Sequence, residues 1–88
     1  MFTVRVGRRA ERGLQRIRQG DPRGYERVVA AMTSLASDPR PMGATKLKDF
    51  EPAAWRVRVG QYRIVYEIRD DALLILVVNV APKGEVYR

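Results

Sequence analysis

Neither cysteine nor histidine occurs in the sequence. The first absence removes disulfides, thiolate catalysis and cysteine-ligated metal sites. The second removes the side chain best suited to moving protons near neutral pH, and with it histidine-based triads and the usual zinc sites. No cofactor or metal is expected. Long apolar runs are missing as well: no stretch approaches the ~18 residues of a membrane span, and Met1-Phe2-Thr3-Val4-Arg5 lacks the apolar segment of a signal peptide. A cytoplasmic protein with no membrane partner is expected.

Cations are in excess. Against 10 Asp and Glu stand 17 Lys and Arg, a formal net charge of +7 in 88 residues, which points to a polyanionic partner. The excess is uneven, since residues 1–20 hold six arginines and one glutamate whereas residues 61–71 sum to −1. A chain of this length closes one hydrophobic core, so a single domain over 1–88 is expected.

Periodicity orders the elements. Phe2 to Val6 alternates as a short strand, and Ala10, Leu14 and Ile17 then form the narrow apolar stripe of a helix from Arg8 to about Arg18. Arg8, Arg12 and Arg16 recur on another face of that helix, either as solvated surface or as a contact for phosphate or an acidic partner. Gly20 ends the helix, Asp21 is a good N-cap for the next, and Pro22 fits its first turn. Tyr25, Val28, Val29, Met32, Leu35 and Ala36 keep the helical period until Asp38-Pro39. Ala44 to Lys48 reads as a short strand with Lys46 and Lys48 alternating around Leu47. Leu73 to Val80 is a continuous apolar run, expected as an interior strand covered on both faces. The order is strand, helix, helix, then three or four strands: an α+β fold, a twisted antiparallel sheet with an N-terminal helical hairpin on one face.

The segment Trp55-Arg56-Val57-Arg58-Val59-Gly60-Gln61-Tyr62-Arg63-Ile64-Val65-Tyr66 carries the most information. Strict alternation on both sides of a Gly-X pair reads as a hairpin closed by a type II′ turn. The register follows: Val59 faces Tyr62, Arg58 faces Arg63, Val57 faces Ile64 and Arg56 faces Val65. Like charges opposed on a sheet cost stability. A fold tolerates that cost most readily where an anion binds, unless the arginines splay into water or find a carboxylate such as Glu67. Trp55, Tyr62 and Tyr66 fall on the other, core-facing side with Ile64 and Ile68.

Together the paired N-terminal helices, Lys46-Leu47, the hairpin through Ile68, the acidic turn Asp70-Asp71 and the terminal Glu85-Val86-Tyr87-Arg88 resemble the RelE/ParE superfamily of bacterial toxin-antitoxin toxins. The resemblance, closer to the RelE-like branch, spans nearly the whole chain. In that branch it implies a RelE-like fold and a ribosome-dependent, metal-independent endoribonuclease that cleaves mRNA in the ribosomal A site, inhibits translation and is held inactive by an acidic antitoxin in a hetero-oligomer. In the ParE branch it implies inhibition of DNA gyrase, and a third alternative is a weakened RelE homologue that binds RNA or antitoxin. The arginine of the family's Gly-X-Tyr-Arg segment matches Arg63, the basic residues before the turn match Arg56 and Arg58, and the terminal tyrosine matches Tyr87. Many members carry His-Arg-Arg where this chain has Pro82-Lys83-Gly84, leaving Lys83 as the cation there, and a basic position at the start of the third strand is Ala54 here. The resemblance thus implies Arg58, Arg63, Lys83 and Tyr87 as catalytic residues and Arg56, Lys46 and Lys48 as RNA-binding ones.

Without histidine that set is poor for RNA cleavage in free solution, which suits a system that holds the mRNA in place. Attack of a ribose 2′-hydroxyl on the adjacent phosphate needs a base, an acid and stabilisation of developing negative charge. Arginine forks suit the last role, and a tyrosine, with a reference pKa near 10, can give a proton to the leaving oxygen. The ribosome's in-line positioning of mRNA would supply ~7 to 11 kcal/mol of the barrier.

Overall fold

The computed structural model describes residues 1–50 and 52–84. Its elements run β1 (Thr3–Val6), α1 (Arg8–Gly20), α2 (Pro22–Ser34), β2 (Thr45–Leu47), β3 (Ala54–Val59), β4 (Tyr62–Arg69) and β5 (Leu74–Pro82). The predicted order and the α+β class hold. The buried residues of α1 are Ala10, Leu14 and Ile17, the three of the sequence stripe. Asp21 caps α2 by accepting a hydrogen bond from the Gly24 N–H at 3.1 Å, with Pro22 in the first turn where its missing N–H costs nothing.

All strands join one sheet in the order β1-β5-β4-β3-β2. Here the structure corrects the expectation of an antiparallel sheet: β1 runs parallel to β5, with Thr3 beside Leu74 and Val6 beside Val77. The sheet is therefore mixed. A parallel neighbour needs a long crossover, and the helical hairpin and the strands after it separate β1 from β5. The β3–β4 register is the one read from the alternation, Arg58 opposite Arg63 and Val57 opposite Ile64. Gly60 takes φ +60° while Gln61 is not among the residues of positive φ, as a type II′ turn requires.

Both helices lie on one face of the sheet, over a core of Tyr66, Ile64, Ile75, Val77 and Val80 met by Leu14, Ile17, Val28 and Leu35. The interior position of β5 is borne out, but cover on both its faces is not. Ile75 and Val77 are buried under the helices, whereas Leu76 and Val78 stay partly exposed on the other side, where no second layer lies among the described residues. A shift in pairing between Val65 and Tyr66 breaks the alternation of β5 near Val78. After α2, the Tyr66 hydroxyl donates to the Pro39 carbonyl at 2.8 Å, and Arg40 stacks 5.3 Å above Trp55 while pairing with Asp70 at 2.9 Å. These contacts tie the loop to the sheet.

Candidate nucleic-acid interface

Period-two geometry sends Arg56 and Arg58 of β3 and Arg63 of β4 to the face opposite the helices, since Trp55, Val57 and Val59 pack on the helix side. Beside them lies a small apolar floor of Ala54 and Val65 with Leu47, Val78 and Ala81. In a two-residue hairpin the pair flanking the turn is hydrogen bonded and the next is not. Arg58 and Arg63 thus occupy the position where opposed side chains stand closest.

Among the described residues no carboxylate pairs with them. Glu67, the carboxylate on their face, is taken by Arg69 at 3.0 Å, and the other ion pair among the described residues joins Arg40 to Asp70 at the far end of the hairpin. Arg56 goes further: its Nε is enclosed and has no hydrogen-bond partner among the described residues. A buried donor without an acceptor costs about 1 to 3 kcal/mol.

The remaining candidates are spread more widely. Lys83 is exposed just past β5, its backbone N–H donating to the Gln61 carbonyl at 2.9 Å, so it sits beside the hairpin turn. Lys46 pairs with Trp55 across the ladder, which places it on the helix side of the sheet, away from the arginines. Lys48 lies beyond β2 in an exposed turn. Tyr87 lies outside the described residues. Among the described residues no cluster of His, Cys, Asp or Glu could hold a metal ion, and no helix is long and apolar enough to cross a membrane.

The model of the ParE toxin of the type II toxin-antitoxin system parDE matches residues 4–87. The chain belongs to this toxin family. No curated protein matches the sequence. Solved structures of the RelE/ParE superfamily resemble the toxin along nearly its whole length. The toxin-antitoxin complex RelBE2 from Mycobacterium tuberculosis is 27% identical, with a TM-score of 0.77 over 93% of this chain and 98% of that one. The archaeal RelE-RelB complex from Pyrococcus horikoshii is 21% identical, with a TM-score of 0.77 over 97% and 98%. The isolated RelE toxin of E. coli is 22% identical, with a TM-score of 0.73 over 99% and 92%. The expected RelE-like fold is thereby borne out.

One polar network of the toxin was not legible in its sequence. Tyr62, which alternation places in the core, is buried, yet its hydroxyl donates to Asp21 Oδ2 at 2.8 Å and accepts from Gln61 Nε2 at 3.3 Å. The Tyr62 hydrogen bond, then that of the Gly24 N–H, holds the Asp21 carboxyl below the usual carboxylate range, and the same bond to Asp21 pushes the Tyr62 phenol up. The helix joint is in this way fastened to the turn end of the arginine hairpin. Gly24 permits it, because a Cβ there would lie 2.7 Å from the Tyr62 ring.

Proposed function

We propose that the toxin is a ribosome-dependent mRNA endoribonuclease whose site is the arginine face of the β3–β4 hairpin. The observation that carries the proposal is that Arg56, Arg58 and Arg63 share one face with no carboxylate partner among the described residues. Attack of a ribose 2′-oxygen forms a new P–O bond and breaks the bond to the 5′-oxygen of the next nucleotide, with negative charge growing on the phosphate oxygens. Arg58 and Arg63 meet that charge with planar donor forks. Arg56 and Lys83 add cations to either side, the proton of the attacking 2′-hydroxyl passes to solvent water, and Tyr87 gives its own proton to the leaving 5′-oxygen. Ribosomal positioning of the mRNA supplies the in-line geometry. The partner that restrains the site is an acidic antitoxin, as the toxin-antitoxin assemblies of similar fold support.

The test is single-turnover cleavage of a defined mRNA on programmed ribosomes. Arg63→Ala is expected to lose about 3 to 4 kcal/mol of transition-state stabilisation, or roughly 10² to 10³ in rate, with thermal stability unchanged. Tyr87→Phe keeps the ring, so cleavage should fall with ribosome affinity intact. A second reading, inhibition of DNA gyrase, is favoured by the ParE family match. Purified toxin that blocks gyrase supercoiling and leaves ribosome-bound mRNA whole would replace the first reading with the second.

A further inference from the structure

The turn end of the β3–β4 hairpin carries Arg58 and Arg63, and three features leave that end lightly held. Gly60 and Gln61 lie exposed in the turn. Tyr62 pairs with Pro82 on the β5 side, and a proline has no N–H to give to the ladder. Arg58 and Arg63 oppose one another just inside the turn-flanking pair, where their repulsion works to splay the two strands.

Two hydroxyls of β4 reach out of the sheet and oppose this. At the far end Tyr66 donates to the Pro39 carbonyl, and at the turn end Tyr62 donates to Asp21 Oδ2 at 2.8 Å. Tyr62 is buried, yet its ring lines an open groove of about 690 Å³ beside Gly13 of α1, so packing alone does not close around it and the hydroxyl bond fixes its place. Asp21 is itself fixed, because its other oxygen accepts from the Gly24 N–H at the start of α2. Gln61 extends the chain of bonds: its amide reaches the Tyr62 hydroxyl at 3.3 Å, and its carbonyl accepts from the Lys83 N–H at 2.9 Å. The helix joint is in this way linked through Tyr62 and Gln61 to Lys83, and Arg63 directly follows Tyr62 in β4.

We infer that Asp21 and Tyr62 are positioning residues for the arginine face: their bond sets where the turn end stands and so holds Arg58, Arg63 and Lys83 in one arrangement about a phosphate. The inference rests on the reading that this face cleaves RNA. Neither residue is catalytic, since Tyr62 packs on the helix side of the sheet and Arg63 points to the other. Cations fixed in advance meet developing charge without reorganising. A misplacement of about 1 Å can cost on the order of 10² in rate, so loosening one tether while the ring stays in place should cost about tenfold.

Two measurements on the full-length toxin test this. In single-turnover cleavage on programmed ribosomes, Tyr62→Phe should lower the limiting rate about tenfold, while the ribosome concentration giving half that rate stays as in the parent. Asp21→Ala should act alike, and the double variant should be no slower than the slower single variant. A merely structural bond would lower Tm and leave the limiting rate of the folded toxin untouched. The second measurement needs no RNA. Amide order parameters at Gly60, Gln61, Arg63 and Lys83 should fall from about 0.85 toward 0.6 in Tyr62→Phe, with Ile68 at the other end of β4 unchanged. Order parameters that stay put at the turn, a limiting rate equal to the parent's, or fully additive losses in the double variant would overturn the proposal. A parent toxin that leaves ribosome-bound mRNA whole would end the ribonuclease reading alone, and the order parameters would still decide the tether.

Discussion

Gly13 sits in the middle of α1, where a helix would ordinarily gain from alanine. Gly→Ala in a helix interior stabilises by roughly 0.5 to 1 kcal/mol through backbone entropy alone. The tertiary structure reverses the sign. A Cβ at Gly13 would collide with the carbonyl oxygen of Val80 and lie 3.1 Å from its carbonyl carbon, and this obstacle is backbone held inside a sheet. Relief means lifting α1 by about 1 Å, a gap that forfeits a quarter to a half of the dispersion contact beneath it. Ala10, Leu14 and Ile17 are the buried residues that would lose it. Overpacking of this kind costs about 1 to 3 kcal/mol, so Gly13→Ala should destabilise by about 1 to 2 kcal/mol net. At this chain length that is a fall of roughly 5 to 15 °C in Tm. The control is Gly20→Ala at the end of the same helix, where no atom lies within 4 Å of the added methyl. It should leave stability unchanged or raise it by up to about 1 kcal/mol. Urea unfolding of both variants decides the matter. A Gly13→Ala protein at least as stable as the parent would refute the close helix–strand contact.

The Asp21–Tyr62 bond should appear in a double-mutant cycle of Asp21→Ala and Tyr62→Phe as a favourable coupling between the two groups; additive losses would mean that they act independently. Since the Asp21 carboxyl is held below its ordinary 3.8, the unfolded chain binds its proton first. That stability is present above pH 3.8 and fades as pH drops below it toward the folded value, so the acid limb of a stability–pH curve should flatten in Asp21→Asn. At the alkaline end, burial pushes the Tyr66 phenol up to about 12, and the unfolded chain ionises near pH 10. Stability should therefore decline between about pH 10 and 12, by up to about 3 kcal/mol, and Tyr66→Phe should lack that decline in a denaturant titration.

Local patterns settled more of this toxin than its long-range pairings. The hairpin register was legible because alternation with a Gly60 turn leaves one arrangement that puts Trp55, Val57, Ile64 and Tyr66 on the same side. The helix joint was legible because Asp21 and Pro22 act within one turn. The candidate arginine face came with the register, since every second residue of a hydrophobic strand must point away from its core. What escaped the sequence depends on which distant segment lies alongside. Nothing in Thr3–Val6 marks it as a parallel neighbour of Leu74–Val77, and so the sheet was expected to be antiparallel. The single cover on β5 follows from the same cause: an apolar run does not say which side a helix will occupy. Lys46 shares its strand with Leu47, and only pairing with Trp55 assigns it to the helix side. Alternation places Tyr62 in the core, where it lies, but a tyrosine's period locates its ring and not the acceptor of its hydroxyl, which lies 41 positions away in sequence at Asp21. The groove beside Gly13 is tertiary in the same sense. The arginine row of α1 is visible in the chain, but Arg9 joins Arg12 and Arg16 over an apolar floor only because the missing side chain of Gly13 lets the helix settle onto Val80.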